Sequence, residues 1–480
     1  MASTAVTAAD HKLIVAGERV ETGDWQEVKS PYDGSVVGRV PVADAELVDR
    51  AVRAAHQAFE ASDFPQYERA AVLERAAQAV RDREDELAAT IAAEAGKPIK
   101  TARVEAQRCV DTLVLSAVEA RKLTGEAVPM EGGKAGAGKV GVIFRVPYGV
   151  VGAISPFNFP LNLVAHKLGP ALAAGNAIVL KPAGQTPMSA IKLGEILLEA
   201  GVPEGWLSIV CGAGSVVGDG IVKHELTKAI TFTGSSKVGW GIRSEVPEKK
   251  VNLELGSTAP LVINADGDWE AAADKAKIHA FSHAGQSCIS IQRIIVHQSL
   301  AERFAERLVA AVEELVVGDP LDPDTDVGPL ISEGDRDRVK EWIDEAAGAG
   351  AEILTGGELA DEGRCLAPTL IRNPGFDAKV WREEIFGPVA TINSFSTFEE
   401  GLAMANDAHY GLNAGVFTGR VADALEAARV LEFGSVLINE VPTFRADLMP
   451  YGGVKDSGNT REGPAYAVRE LTETRLVTLQ

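Results

Sequence analysis

One stretch, Ala284-Gly285-Gln286-Ser287-Cys288-Ile289-Ser290, places a cysteine in a turn of small residues, between a helical run (Trp269 to His283) and a β-branched run (Ile291 to Val296). A thiol there is reachable by solvent and close to backbone N–H groups, which suits a nucleophile, though a lone cysteine serves equally well as a small buried hydrophobe. Asn158, in Ile154-Ser-Pro-Phe-Asn158-Phe-Pro160, directly follows an apolar strand-like run. Its amide can donate to a developing oxyanion or simply cap a turn. Glu254, in Leu253-Glu254-Leu255-Gly256, ends another apolar run. Burial would raise its pKa and suit it to general base work, while a solvated or ion-paired glutamate is the plain alternative. Phe232-Thr-Gly234-Ser235-Ser-Lys-Val-Gly239 is a strand-to-helix turn that can present helix N–H groups to a pyrophosphate or merely start a helix. No Gly-x-Gly-x-x-Gly opens a helix after a strand, and the literal match from Gly136 to Gly141 runs into a strand.

These residues need elements to position them. From Val150 the pattern alternates: strand 150–154, helix 161–174, strand 177–180, helix 187–200, strand 206–210, helix 215–223, strand 228–232, helix 236–242, strand 250–254. Continuous apolar strands separated by helices indicate a parallel sheet covered on both faces, with ligands at the carboxyl ends. After Gly256 a second α/β region has strands near 260–263, 291–297, 389–394, 413–417 and 435–438, with helices near 299–316, 336–349, 397–406 and 421–431. The Gly-, Pro- and Asp-rich segment 317–388 reads as long surface connections. Residues 11–40 read as short strands. A helix capped by Asp44 follows, then Ala-rich helices over 66–95 and 98–123, which cover a sheet. The stretch 471–479 alternates like an exposed strand that a partner subunit would cover.

A chain of 480 residues exceeds one core, so two or three domains are expected. A formal charge of −21 argues against nucleic-acid binding. Four scattered cysteines without a Cys/His cluster argue against a disulfide framework and a metal site. No export leader or 18-residue apolar run is evident, so a cytoplasmic protein without membrane contact is expected.

Taken together, Pro156-Phe-Asn158-Phe-Pro160, Lys167-Leu-Gly-Pro170, Lys181-Pro182, Phe232-Thr-Gly-Ser235, Leu253-Glu254-Leu-Gly256, Gly285-Gln-Ser-Cys288, Glu383-Glu384-Ile-Phe386-Gly-Pro388 and Pro450-Tyr-Gly-Gly-Val-Lys455-Asp-Ser-Gly458 resemble the aldehyde dehydrogenase superfamily over essentially the whole chain. The resemblance implies an α/β fold in three parts. A five-stranded parallel Rossmann-type cofactor domain would comprise 1–120 and 149–255, an α/β catalytic domain 256–466, and a small β oligomerisation arm 121–148 and 467–480. A homodimer or homotetramer is implied. So is oxidation of a small-molecule aldehyde by NAD or NADP through a cysteine thioester.

Carried over residue by residue, Cys288 is the nucleophile, Asn158 with the Cys288 N–H holds the oxyanion, and Glu254 activates water. Lys167 and Glu462 match positions that relay the proton. Glu384 matches the nicotinamide-ribose ligand, Phe386 lies beside the ring, and Lys181 matches the adenosine ribose contact. Ser155, Pro156, Phe157, Ala183, Gly184, Gly218, Phe232, Gly234, Ser235 and Leu255 complete the cofactor contacts.

One departure bears on the cofactor. NAD-preferring relatives often carry a glutamate three residues after the lysine at 181, where this chain has Gly184. Nothing there repels a 2′-phosphate, so acceptance of NADP is expected. Ser257, often glycine in relatives, carries no inference. The loop Asn439 to Met449 resembles that of lactaldehyde- and semialdehyde-type members. Phe444, Arg445 and Arg108 are therefore expected near a short polar or acidic aldehyde, unless Arg445 pairs with Asp447 or a neighbouring subunit. The rival readings are a CoA-acylating enzyme, which generally lacks the base, a catalytically silent binding protein of this fold, and a thiol esterase using Cys288 alone.

Overall fold

The computed structural model describes residues 8–61 and 63–480. The first sheet has seven strands in the order Lys250–Glu254, Thr227–Thr233, Val150–Ile154, Ala177–Lys181, Leu207–Ile209, Leu13–Val15, Glu18–Val20. The first five run parallel and the last two join antiparallel. Val150–Ile154, Ala177–Lys181 and Leu207–Ile209 are almost wholly buried, as their Val-, Ile-, Leu- and Ala-rich composition requires when helices lie on both faces. The register pairs Ile154 with Lys181, Ile154 with Phe232, and Thr233 with Glu254. Four carboxyl ends thus stand side by side.

Helices fit the sheet through narrow stripes. Ala45–Ala61 buries Val48, Ala51, Val52 and Ala55, and Asp44 caps it by accepting from the Leu47 N–H at 2.8 Å. Every residue of Asn162–Ala174 is buried, including His166 and Lys167, so this helix carries charge into the interior. The expected helix over 66–95 is two, Gln66–Asp82 and Glu84–Ala95. Arg83 leaves the helical region (φ −111°, ψ 20°) and an acidic triplet, Glu84 to Glu86, starts the next helix.

The second sheet, also of seven strands, has the order Glu352–Thr355, Thr369–Arg372, Val389–Phe395, Ile291–His297, Ala259–Ile263, Asn413–Phe417, Ser435–Ile438. All neighbours are parallel except the edge pair Glu352–Thr355 with Thr369–Arg372. Two strands of this sheet, and the short pair Leu359–Ala360 with Cys365–Leu366, therefore lie inside 317–388, where the sequence suggests long surface connections. Glu352–Thr355 is a half-exposed edge strand, and Thr369–Arg372 is too short for its period to stand out.

A third sheet pairs Thr472–Leu479 with Val140–Pro147, and the latter with Glu126–Val128, all antiparallel. It leaves Val140, Phe144, Leu476 and Leu479 exposed. Among the described residues no helix is long and apolar enough to cross a membrane.

Candidate active site

The two large sheets meet where the chain passes from Glu254 to Ala259. The first offers carboxyl ends, followed by the turns bearing Asn158, Gly234 and Glu254. The second offers amino ends, preceded by Cys288 and by Glu384 with Phe386. Between them lies a cavity of about 290 Å³. Cys288, Asn158 and Glu254 line it together with Phe157, Ser235, Glu384 and Phe386. Side chains far apart in sequence thus share one space, as a reacting constellation requires.

The turn before Cys288 is strained. His283 and Ala284 hold φ values of 51° and 52°, and Gly285 follows at 68°. A Cβ on Gly285 would lie 2.0 Å from the Gly387 carbonyl oxygen, so only glycine fits. Phe386 is also left-handed (φ 52°) and packs edge-on against Phe157, ring centres 5.7 Å apart.

Cys288 is partly exposed, and its N–H donates to no acceptor among the described residues. Its Sγ lies 2.8 Å from the Tyr451 hydroxyl. Low-dielectric surroundings push the thiol up to about 12, while the Tyr451 hydrogen bond and the Arg445 charge pull it down. Asn158 donates its side-chain amide to the Gln286 carbonyl at 3.0 Å, leaving one amide hydrogen to give. Glu254 is 4% exposed and neither carboxylate oxygen has a hydrogen-bond partner among the described residues. Burial first, and the neighbouring Glu462 second, hold its pKa well above the ordinary carboxylate value.

Lys167 donates to Thr233 Oγ1 at 2.7 Å and lies 3.9 Å from Glu462. Glu462 accepts from Arg445 at 3.0 Å. Arg445 covers the Tyr451 ring, 3.9 Å above its centre.

Of the expected substrate contacts, Arg108, Phe444 and Arg445 are not among the residues lining the cavity. Arg108 is bidentate to Asp447 at 2.7 and 3.1 Å, so it is no free anion receptor. The alternative of pairing for Arg445 holds in part: Glu462 is its main partner and Asp447 lies 3.9 Å from its Nε. Phe444 is 46% exposed on the loop surface. Tyr451 and His166 were not singled out from the sequence. His166 lies 2.9 Å from Asp447 and 3.1 Å from Arg445, and only its seat beside Lys167 on an apolar helix marks it. Tyr451 is marked only by its place in Pro450-Tyr-Gly-Gly.

The other expected cofactor residues follow the carboxyl ends. Pro156, Phe157, Ala183, Gly234, Ser235 and Leu255 line the cavity, and Phe232 packs beneath Gly234. Ser155 donates its N–H to the Lys181 carbonyl and leaves a buried hydroxyl without a partner. Lys181 is 9% exposed, its stem beside Gly218, and its Nζ reaches only the Pro182 carbonyl at 3.3 Å. A Cβ on Gly184 would make only ordinary contact with Gln26, at 3.6 Å, and Gln26 donates to the Gly184 carbonyl at 2.8 Å. Glu384 accepts from the Ser257 N–H at 2.9 Å, and a Cβ on Gly256 would strike its carboxylate at 2.2 Å. Burial pushes Glu384 up to about 7. Small residues and Phe157 at the first sheet's carboxyl edge, faced by Phe386 and the Glu384 carboxylate from the second sheet, fit a nicotinamide nucleotide.

Residues 19–477 match the model of the aldehyde dehydrogenase family. A 3-sulfolactaldehyde dehydrogenase of Priestia aryabhattai is 43% identical over 467 residues, 97% of each chain. Aldehyde dehydrogenase 21 of Physcomitrella patens, solved with the reaction product succinate, superposes with a TM-score of 0.96 at 38% identity over 99% of each chain. An NAD-dependent aldehyde dehydrogenase of Sinorhizobium meliloti gives 0.96 at 34% identity, covering 100% of this chain and 97% of its own. With a cysteine, an amide and a carboxylate gathered around one cavity, and with these likenesses over nearly its full length, the chain belongs to the aldehyde dehydrogenase family.

Proposed function

We propose that this protein oxidises a small polar or anionic aldehyde to its carboxylic acid with NAD(P), through a thioester on Cys288. The observation that carries this reading is the convergence of Cys288, Asn158 and Glu254 on one cavity whose remaining wall suits a nicotinamide.

Cys288 Sγ bonds to the aldehyde carbon as the C=O π pair moves to oxygen. The remaining Asn158 amide hydrogen and the Cys288 N–H receive that oxygen. A nicotinamide held by Glu384 and Phe386 would accept the hydrogen of that carbon as hydride, and the oxygen's electron pair then re-forms C=O, leaving the thioester on Cys288. Glu254 then takes a proton from a water whose oxygen attacks the thioester carbon, and Cys288 departs as thiolate. Lys167 and Glu462 carry the proton onward from Glu254, and the positive field of Arg445 favours an anionic tail. The retained base argues against acyl transfer to CoA, and the intact constellation against a silent binding protein.

Glu384 and Phe386 hold the nicotinamide half of the cofactor, with Pro156, Phe157, Gly234, Ser235 and Leu255 around it. Lys181, with Ser155, Ala183, Gly184 and Gly218, meets the adenosine half. An unpaired lysine and no carboxylate at 184 favour acceptance of NADP beside NAD. Residues 1–120 (of which 1–7 and 62 lie outside the described residues) with 149–255 form the cofactor domain, 256–466 the catalytic domain, and 121–148 with 467–480 the arm. That arm's exposed Val140, Phe144, Leu476 and Leu479 suit a homodimer or homotetramer. Four free cysteines suit the reducing cytoplasm.

The test is a panel of a 2-hydroxy aldehyde, a carboxylate- or sulfonate-bearing aldehyde and propanal, each with NAD and NADP, followed by reduced-nicotinamide absorbance. The proposal expects turnover without CoA and a preference for the first two. No turnover, or strict dependence on CoA, would overturn it.

A further inference from the structure

Tyr451 is not required by the steps above, yet it touches the reacting sulfur. It is 4% exposed, its hydroxyl meets Cys288 Sγ at 2.8 Å, and Arg445 lies across its ring. Glu462 in turn holds Arg445 at 3.0 Å. We propose that Tyr451 is a further catalytic residue: its hydroxyl donates to the Cys288 thiolate, holding the sulfur toward the cavity and raising the fraction ionised at neutral pH. This rests on the reading of Cys288 as nucleophile.

Chemistry fixes the direction of this contact. While the thiol is neutral either atom can donate; once ionised the sulfur is only an acceptor, so the phenol is the donor. The charged groups acting on Cys288 are Glu384 and Glu254, which oppose ionisation, and Arg445, which favours it. With two carboxylates against one guanidinium, a neutral donor in contact with the sulfur matters. Burial first, then Cys288 and Glu254, oppose ionisation of Tyr451 and outweigh the opposing charge of Arg445, so the phenol keeps its proton and remains the donor. As the S–C bond forms, the sulfur loses its charge and this hydrogen bond weakens, so the reaction needs no proton from Tyr451.

The test is the rate at which iodoacetamide alkylates Cys288 between pH 6 and 10.5, read by mass spectrometry of the peptide that contains it. It uses the full chain without aldehyde or cofactor. Wild type is compared with Tyr451→Phe and with 3-fluorotyrosine at 451, whose hydroxyl is more acidic and a stronger donor. In Tyr451→Phe alkylation slows across this range, because less of the thiol is ionised at each pH. At pH 8 it slows about threefold for each unit by which the thiol is pushed further up, since the tenfold loss of thiolate is partly offset by greater nucleophilicity. The fluorinated protein moves the opposite way, a response that a merely structural role would not produce. Equal rates in all three, or slowing in both variants, would overturn the proposal. Should Tyr451→Phe fail to fold, the fluorinated protein decides alone. Because no turnover is read, this outcome and that of the aldehyde panel are separable.

Discussion

Asn158 donates its side-chain amide to the carbonyl of Gln286, two residues before Cys288, at 3.0 Å. One hydrogen bond thus ties the carboxyl end of the first sheet to the strained turn of the second and leaves the other amide hydrogen without an acceptor among the described residues, in the cavity that Cys288 also lines. Asn158→Ala should lower kcat by about a hundredfold to a thousandfold, the usual loss of one oxyanion donor, with KM little changed. Steady-state kinetics with a saturating aldehyde check this, and a change confined to KM would count against it.

Glu254 gives a prediction with a definite sign. Its pKa is raised in the folded state, so folding binds a proton that the unfolded chain, near 4.3, releases. Stability is fully present below about 4.3 and is lost as pH rises toward the raised value. Glu254→Gln removes that loss, so its Tm should exceed that of the wild type by a margin that grows from pH 4.3 upward. The same variant should lose about a hundredfold or more in turnover. Thermal melts across pH, set beside kcat, check both.

Gly184 should set the cofactor balance. For the wild type we expect a kcat/KM ratio of NAD over NADP below about 100, or about 2.7 kcal/mol. Gly184→Glu has room, the nearest atom to a new Cβ being Gln26 Nε2 at 3.6 Å. The new carboxylate would face the 2′-phosphate, so kcat/KM with NADP should fall by about tenfold or more, about 1.4 kcal/mol. Unchanged ratios in paired assays would contradict the assignment.

Arg445→Ala should separate substrates by charge. Losing a guanidinium near the tail of an anionic aldehyde should raise its KM by about tenfold to a hundredfold while leaving the KM for propanal little changed, with kcat lowered for both by the charge lost beside Cys288. It also leaves the Glu462 carboxylate buried without its closest partner, at a stability cost of about 3–5 kcal/mol. Chemical denaturation measures the second effect, and equal rises in KM for both aldehydes would remove the first.

The strands from Val150 to Glu254 were legible because burial on both faces leaves continuous apolar runs that turns interrupt. Cys288, Asn158 and Glu254 were legible because each ends or begins such a run in a short motif. The strands Glu352–Thr355 and Thr369–Arg372 were not, since a half-exposed edge strand and a four-residue one carry little periodic signal. Nor was the chain of contacts from Arg108 through Asp447, His166 and Arg445 to Glu462. It joins side chains up to 339 residues apart by geometry that no local pattern encodes. The partner of Arg445 belongs to the same class: Asp447 stands two residues away in sequence, but Glu462 makes the closer contact.

The central claim is that the oxidised carbon leaves the cofactor bound to Cys288. The direct measurement mixes Glu254→Gln with an aldehyde and NAD(P), quenches in acid, and maps acyl groups on the cysteine peptides. The account predicts one acyl group on Cys288 and one reduced nicotinamide per subunit. Reduced nicotinamide formed with Cys288 unmodified, or an acyl group on Cys109, Cys211 or Cys365 instead, would contradict it.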